Sequence, residues 1–218
     1  MTIIAASILS ADFAHLGRDT KAALAAGADA VHFDVMDHHF VPNLSFGALV
    51  CEALRKDGVT APIDVHLMVT DPESYIEPFA KAGANRVTFH PETVSNVTTI
   101  CEKIHDVGMQ AGFAFNPNKP VMIATEIFAH IDLILIMSVF AGFGGQSFIT
   151  DTLKKIRDTR HLIDQHNPKI ILAVDGGVNV TTIGPVVKAG ADFVVVGSGL
   201  FGAKDYAVRI QQLRDAMR

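Results

Sequence analysis

The run Ala26-Gly27-Ala28-Asp29, followed at once by Ala30-Val31-His32-Phe33-Asp34-Val35-Met36, is the stretch from which the fold can be read. Upstream, Asp12 to Ala26 carries Phe13, Leu16 and Leu24 at helical spacing. Gly27 then ends the helix, because glycine takes the left-handed C′ conformation at little cost. Downstream, Ala30 to Val35 is apolar and β-branched, as a buried strand should be. Strand side chains alternate, so His32, Asp34 and Met36 share one face. The same junction returns as Ala82-Gly83-Ala84-Asn85 and Ala189-Gly190-Ala191-Asp192, each between a helical segment and an apolar strand.

Working outward, strands are expected over Ile3–Ile8, Ala30–Val35, Ile63–Met68, Arg86–His90, Met109–Phe115, Leu133–Val139, Lys169–Val174 and Phe193–Val196. Helices are expected over Asp12–Ala26, Phe46–Lys56, Pro72–Ala82, Val94–Val107, Pro120–Phe128, Thr152–His166, Thr181–Ala189 and Tyr206–Met217. Strict alternation implies a parallel sheet with right-handed crossovers. The α/β class follows, and the architecture read from it is a closed (β/α)8 TIM barrel. A doubly wound open sheet is the alternative, but polar residues follow strands along the whole chain rather than at one switch point. No linker or composition break divides residues 1–218, so they are read as a single barrel domain.

Composition bounds the function. The chain is 49% hydrophobic and 19% charged, which suits a sizeable core and excludes disorder. Its formal net charge of −5 argues against nucleic acid or an anionic membrane as partner. Cys51 and Cys101 stand alone, as expected in a reducing compartment. No apolar run reaches the ~20 residues of a membrane span, and the N-terminus runs straight into a strand without a basic leader. A cytoplasmic protein is expected. Apolar residues on outer helices allow a homo-oligomer.

In such a barrel the functional groups lie at the C-terminal ends of the strands. There the chain offers Ser7 and Ser10; His32, Asp34 and Met36; His66 and Met68; His90 and Glu92; Asn116; Met137 and Ser138; Asp175-Gly176-Gly177; and Gly197-Ser198-Gly199. His32, Asp34, His66 and Asp175, from strands two, three and seven, make a cage for one divalent ion. Mixed imidazole and carboxylate ligation suits Zn, Fe(II), Mn or Co. His90 reads as a partner of a ligand or a plain strand-end histidine, with a fifth ligand as the alternative. The third strand also carries Asp64 on the face of His66 and Met68. Glycines after strands seven and eight suit a phosphate held on backbone N–H groups. Gly142, Phe143, Gly144 and Gly145 lie on a longer loop, Ala141 to Thr150, that suits a lid. No strand ends in a lysine placed for a Schiff base, which counts against an aldolase of that kind.

These stretches carry a resemblance. Ser7-Ile8-Leu9-Ser10-Ala11-Asp12-Phe13, Val31 to Asp37 with His39-Phe40-Val41-Pro42-Asn43, Asp64-Val65-His66-Leu67-Met68, Thr88 to Glu92, Gly142 to Phe148, Val174 to Gly177 and Gly197-Ser198 stand in order along nearly the whole chain. Together they resemble the ribulose-phosphate 3-epimerase family. The resemblance implies a barrel enzyme of the pentose phosphate pathway that interconverts D-ribulose 5-phosphate and D-xylulose 5-phosphate. It implies His32, Asp34, His66 and Asp175 as metal ligands, with one divalent ion per subunit, and Asp34 and Asp175 as the acid/base pair. It implies that Ser7, His66, Gly142, Phe143, Gly144, Gly145, Asp175, Gly176, Gly177, Gly197 and Ser198 contact a small phosphosugar. The chemistry agrees, since epimerising a carbon beside a ketone needs proton transfer on both faces. Met36, Met68 and Met137 each read first as core packing, with lining of the site by their soft sulfur as the alternative. The chain departs from the family at His38, where glycine or asparagine is common, and at Ala6, Lys119 and Ala141. Two rivals stand beside this reading: an epimerase for a related phosphoketose such as a hexulose 6-phosphate, and a non-catalytic phosphosugar-binding barrel.

Overall fold

In the computed structural model, which describes residues 1–218, strands β1 (Ile3–Ser7), β2 (Ala30–Met36), β3 (Ile63–Met68), β4 (Arg86–Phe89), β5 (Gln110–Phe115), β6 (Leu133–Met137), β7 (Ile171–Asp175) and β8 (Phe193–Val196) pair in chain order. All pairs are parallel, and β8 returns to β1, closing the barrel. Helices α1 (Leu16–Ala25), α2 (Ala48–Lys56), α3 (Glu73–Lys81), α4 (Val97–Asp106), α5 (Thr152–His166), α6 (Ile183–Lys188), α7 (Ser198–Phe201) and α8 (Tyr206–Ala216) surround it. This is the (β/α)8 TIM barrel expected from the alternation.

Alternation along each strand divides two cores. Outward residues such as Val31, Phe33, Val65, Leu67, Val87, Ile134 and Ile136 pack against the helices in the larger one. The inward set is lopsided. From β5 round to β1 the barrel is filled by Ala5, Ala114, Leu133, Leu135, Met137, Ala173, Phe193 and Val195. From β2 to β4 it is filled by buried His32, Asp34, Asp64, His66, Arg86 and Thr88. Alanines opposite these groups leave room that larger apolar side chains would take. A half-barrel of buried polar groups is costly unless each finds a partner, and that cost is what the site below uses.

The repeated junction has a function beyond the turn. Gly27, Gly83 and Gly190 adopt φ of +107°, +88° and +112°, as helix C′ glycines do. The fourth residue of each repeat then clasps the start of a neighbouring strand. Asp29 Oδ2 accepts from the Ile4 N–H at 2.7 Å, Asn85 Oδ1 from Ile63 at 2.9 Å, and Asp192 Oδ2 from Leu172 at 3.0 Å. Asp132 does the same for Ala111 at 2.9 Å, although no Ala-Gly-Ala precedes it.

The expected helix over Pro120–Phe128 does not form. Val121 to Ala124 is irregular and only a 3-10 turn, Thr125–Ala129, follows. Val121, Met122 and Ile123 are adjacent apolar residues, not one helical face, and Met122 is 81% exposed. The Lys155 ammonium of α5 donates instead to the carbonyls of Asn116 and Lys119, both at 2.6 Å, tying down the loop that precedes it. The first expected helix also begins later than Asp12, whose carboxylate accepts from the Ala14 N–H and caps a 3-10 turn at Phe13–His15.

Candidate active site

Cross-strand register brings the polar groups together. In the pairing of β2 with β3, His32 lies beside Asp64 and Asp34 beside His66. Asp175 ends β7 across the barrel, next to Met137. Ligand atoms of His32, Asp34, His66 and Asp175 all lie within 4.8 Å of one another. His66 Nδ1 stands 3.2 Å from Asp34 Oδ1, and His32 Nε2 stands 3.3 Å from Asp34 Oδ1 and 4.0 Å from Asp175 Oδ2. Despite these approaches, the buried His32 Nε2 has no hydrogen-bond partner of proper geometry. An orphaned imidazole nitrogen aimed at two carboxylates and a second imidazole fits a divalent cation, which satisfies all four at once. The cluster could hold a metal ion, and its mixed donors leave the element open.

The two acids sit in different environments. Burial acts to raise the Asp34 carboxyl, but the positive charge and hydrogen bonding of His32, joined by His66, outweigh it and hold Asp34 well below the usual range. The Ser7 hydroxyl also donates to Asp34 Oδ2 at 2.8 Å. For Asp175, burial is reinforced by the adjacent Asp34 charge, and the two histidines compensate only in part, so it is pushed up to about 6. His32 is drawn the other way. Burial disfavours its imidazolium, yet Asp34 and then Asp64 raise it well above the ordinary value. His90, buried beside His66 at an Nε2–Nε2 distance of 3.0 Å, is held well below the ordinary imidazole range by burial and then by His66.

One pocket joins this cluster to the glycine loops. Ser7, Asp34, Met36, Met68, Met137, Gly142, Phe143, Gly144, Gly145, Asp175, Gly176, Gly177, Gly197 and Ser198 line it, so nearly every residue expected at the site from the sequence faces one space. His32 and His66 lie just behind its wall, fully buried. Gly176 and Gly177 have φ of +115° and +63°, and a Cβ on them would fall 2.4 Å from Val139 and 2.5 Å from the Phe148 N–H. That close approach is what glycine supplies here. The loop from Ala141 to Thr150 carries Phe143, half exposed, and is pinned from three sides. The Asn43 amide donates to the Gly142 carbonyl at 2.8 Å, the Ala141 N–H to Asn116 at 3.1 Å, and the Gln146 amide to the Phe140 and Phe143 carbonyls. Leu9, Val139 and Val178 complete the walls. Asn43 and Gln146 stand in the motif stretches and Asn116 at a strand end, but their pinning role was not legible, since Asn43 and Gly142 are 99 residues apart. His38 adopts φ of +61°, the left-handed region that explains why glycine or asparagine suits this position.

Comparison with known proteins agrees with the geometry. The model of the ribulose-phosphate 3 epimerase family matches residues 3–201. A ribulose-phosphate 3-epimerase of Serratia marcescens is 54% identical over 204 residues, 94% of this chain and 97% of that one. Its counterpart in Escherichia coli K12 is 51% identical over 215 residues, 99% of this chain and 96% of that one. Among solved structures, KGPDC from Streptococcus mutans superposes with a TM-score of 0.72 at 16% identity, covering 100% of this chain and 97% of that one. A 3-hexulose-6-phosphate synthase gives 0.68 at 20%, covering both chains fully. At such identities these two structures speak for the fold alone.

Proposed function

Since the chain belongs to the ribulose-phosphate 3-epimerase family and is an epimerase of that kind, we propose that Asp34 and Asp175 are its two proton-transfer groups, acting on opposite faces of the substrate's third carbon. The observation that carries this reading is the convergence of Asp34 and Asp175, from opposite sides of the barrel, on one pocket with their oxygens within 4.8 Å of each other and of two imidazoles. Paired titratable groups driven apart by their surroundings are suited to acid and base roles.

Asp34 is in the ionised form that can accept a proton, although the histidines that keep it ionised also weaken it as a base. Asp175, raised to about 6, is able to carry one near neutral pH. The carboxylate that takes the carbon-bound proton leaves its electron pair on the substrate as an enediolate. The other carboxylate returns a proton to the opposite face, so configuration inverts with no net change of oxidation state. Reversing the direction exchanges the two roles. A divalent cation held by His32, Asp34, His66 and Asp175 would supply the positive charge that acidifies the carbon and stabilises the enediolate oxygens. Ser7 orients Asp34 through its hydroxyl. The backbone N–H groups around Gly176, Gly177, Gly197 and Ser198 bind the phosphate, and Gly142 to Gly145 shield the reacting carbon from water. Met36, Met68 and Met137 present apolar, polarisable surface to the planar intermediate.

The preferred substrate is the five-carbon D-ribulose 5-phosphate. We place the reaction in the cytoplasm, where a phosphosugar substrate is at hand, and in a single domain, on the support that β1 to β8 close one barrel. A homo-oligomer would cover apolar side chains exposed on the outer helices, Leu49 of α2 and Val208 of α8. The test is turnover of five- and six-carbon ketose phosphates side by side, with metal analysis of the same preparation. Ribulose 5-phosphate is expected to turn over fastest, with about one divalent ion per chain. Faster turnover of a hexulose 6-phosphate would overturn the substrate, and full activity in metal-free protein would overturn the cage.

A further inference from the structure

The β2–β3, β3–β4 and β4–β5 registers place His32, Asp64, Arg86 and Gln110 side by side in one row around the barrel wall. The row is hydrogen-bonded along its length. His32 Nδ1 lies 2.8 Å from Asp64 Oδ2, Arg86 Nη1 donates to Asp64 Oδ1 at 3.3 Å, and Arg86 Nη2 donates to Gln110 Oε1 at 2.7 Å. Asp64 is 3% exposed and Arg86 9%. Asp64 does not line the pocket, and the reaction above makes no use of it.

A neutral imidazole carries its hydrogen on one nitrogen, and only the other has a lone pair to offer. The two histidines of the cluster present different nitrogens to it. His66 presents Nδ1 and turns Nε2 to His90, whereas His32 presents Nε2 and turns Nδ1 to Asp64. With Oδ1 committed to the Arg86 guanidinium, Asp64 is an acceptor on both oxygens. Its Oδ2 therefore requires a donor at His32 Nδ1. We propose that Asp64 is a positioning residue that holds the hydrogen of His32 on Nδ1, so that Nε2 is the nitrogen that gives up its proton and turns a lone pair to a cation in the cluster, and that Arg86 fixes Asp64 in turn. This rests on the reading of His32, Asp34, His66 and Asp175 as a cation cage.

The arrangement makes an unusual prediction for Asp64→Asn. Arg86 needs an acceptor, so the amide oxygen stays on that side and the amide NH2 is turned toward His32. Nδ1 must then accept, which puts the hydrogen on Nε2, the nitrogen facing the cluster. Titrating metal-free protein with Co(II) or Zn(II) alone, Asp64→Asn is expected to bind ~10–100-fold more weakly than the parent, the range typical of lost outer-shell partners. Adding Arg86→Met releases the amide to turn over, so the double variant is expected to regain most of that loss. A merely structural role for the Asp64–Arg86 pair predicts the reverse, with the second substitution deepening the first. Affinity of Asp64→Asn within twofold of the parent, or a double variant weaker than the single one, would overturn the proposal. If the variants do not fold, the imidazole 15N spectrum of the zinc-loaded parent decides: a hydrogen on His32 Nδ1 supports the proposal and one on Nε2 overturns it. A parent that binds neither ion overturns the cage reading itself, an outcome distinct from failure of the Asp64 variant alone.

Discussion

The two ends of this barrel treat the same residue types in opposite ways. At the N-terminal rim, Asp29, Asn85, Asp132 and Asp192 each hold a backbone N–H, and each also meets one cationic or imidazole side chain. Arg214 reaches Asp29 at 2.6 Å, Arg55 reaches Asn85 at 2.9 Å, His105 reaches Asp132 at 2.9 Å and Arg160 reaches Asp192 at 2.9 Å. At the mouth, Asp34 and Asp175 crowd each other around two imidazoles, one nitrogen of which has no partner. Satisfied polar groups stabilise. Groups held close without full satisfaction have their protons and charges displaced, and those are the ones proposed above to do chemistry. One fold thus separates stability from reactivity by some 3.3 Å of rise per strand residue.

The sharpest way to break this contrast is at the mouth. Asp175→Asn keeps the shape and removes the proton-carrying group, so kcat on ribulose 5-phosphate is expected to fall by at least about 10³-fold, within the range for an acid/base group. The circular dichroism spectrum should be unchanged. Turnover within tenfold of the parent would sink the two-carboxylate scheme.

The matching change at the rim is Asp192→Ala, which leaves the buried Leu172 N–H without its acceptor. A stability loss of about 1–3 kcal/mol is expected in urea denaturation, with kcat per folded molecule unchanged. A fall in kcat with no loss of stability would erase the division of labour between the ends.

A smaller effect comes from pH. In metal-free protein Asp175 titrates at about 6, above the ~3.9 of an unfolded aspartate. A carboxyl whose folded value is raised stabilises fully below the unfolded value and loses that contribution as pH rises through the folded one. The metal-free parent should therefore lose stability between about pH 4 and pH 7 relative to Asp175→Asn. The gap should reach about 1–2 kcal/mol, short of the full ~1.4 kcal/mol per pH unit because the Asp175 side chain is 16% exposed. Parallel stability curves for the two proteins would show that the mouth does not strain this acid.

Much of this was legible before the fold was known. The period-2 placement of His32 and Asp34, the glycine junctions and the polar strand ends lead to a closed barrel with His32, Asp34, His66 and Asp175 at its mouth, and all four converge there. The failures are equally specific. Pro120–Phe128 was expected to be helical because its neighbours alternate, but three consecutive apolar residues have no helical face and Lys155 holds the preceding loop. Asp132 clasps Ala111 without the Ala-Gly-Ala that marks its counterparts, so no repeat could flag it. Asp64 looked like one more inward polar residue, and only its register beside His32 and Arg86 gives it a role to propose.

By itself the sequence determined periodicity and residue type: which segments alternate, which faces are polar, and which strand ends carry imidazole, carboxylate and glycine. Those follow from local geometry, which the chain encodes residue by residue. Which nitrogen each histidine presents, which acid is held ionised and which is raised, and what pins the Ala141–Thr150 loop were settled only by the closed barrel. Those properties belong to atoms on different strands, and they exist only once register and burial bring the atoms within hydrogen-bonding and Coulombic reach.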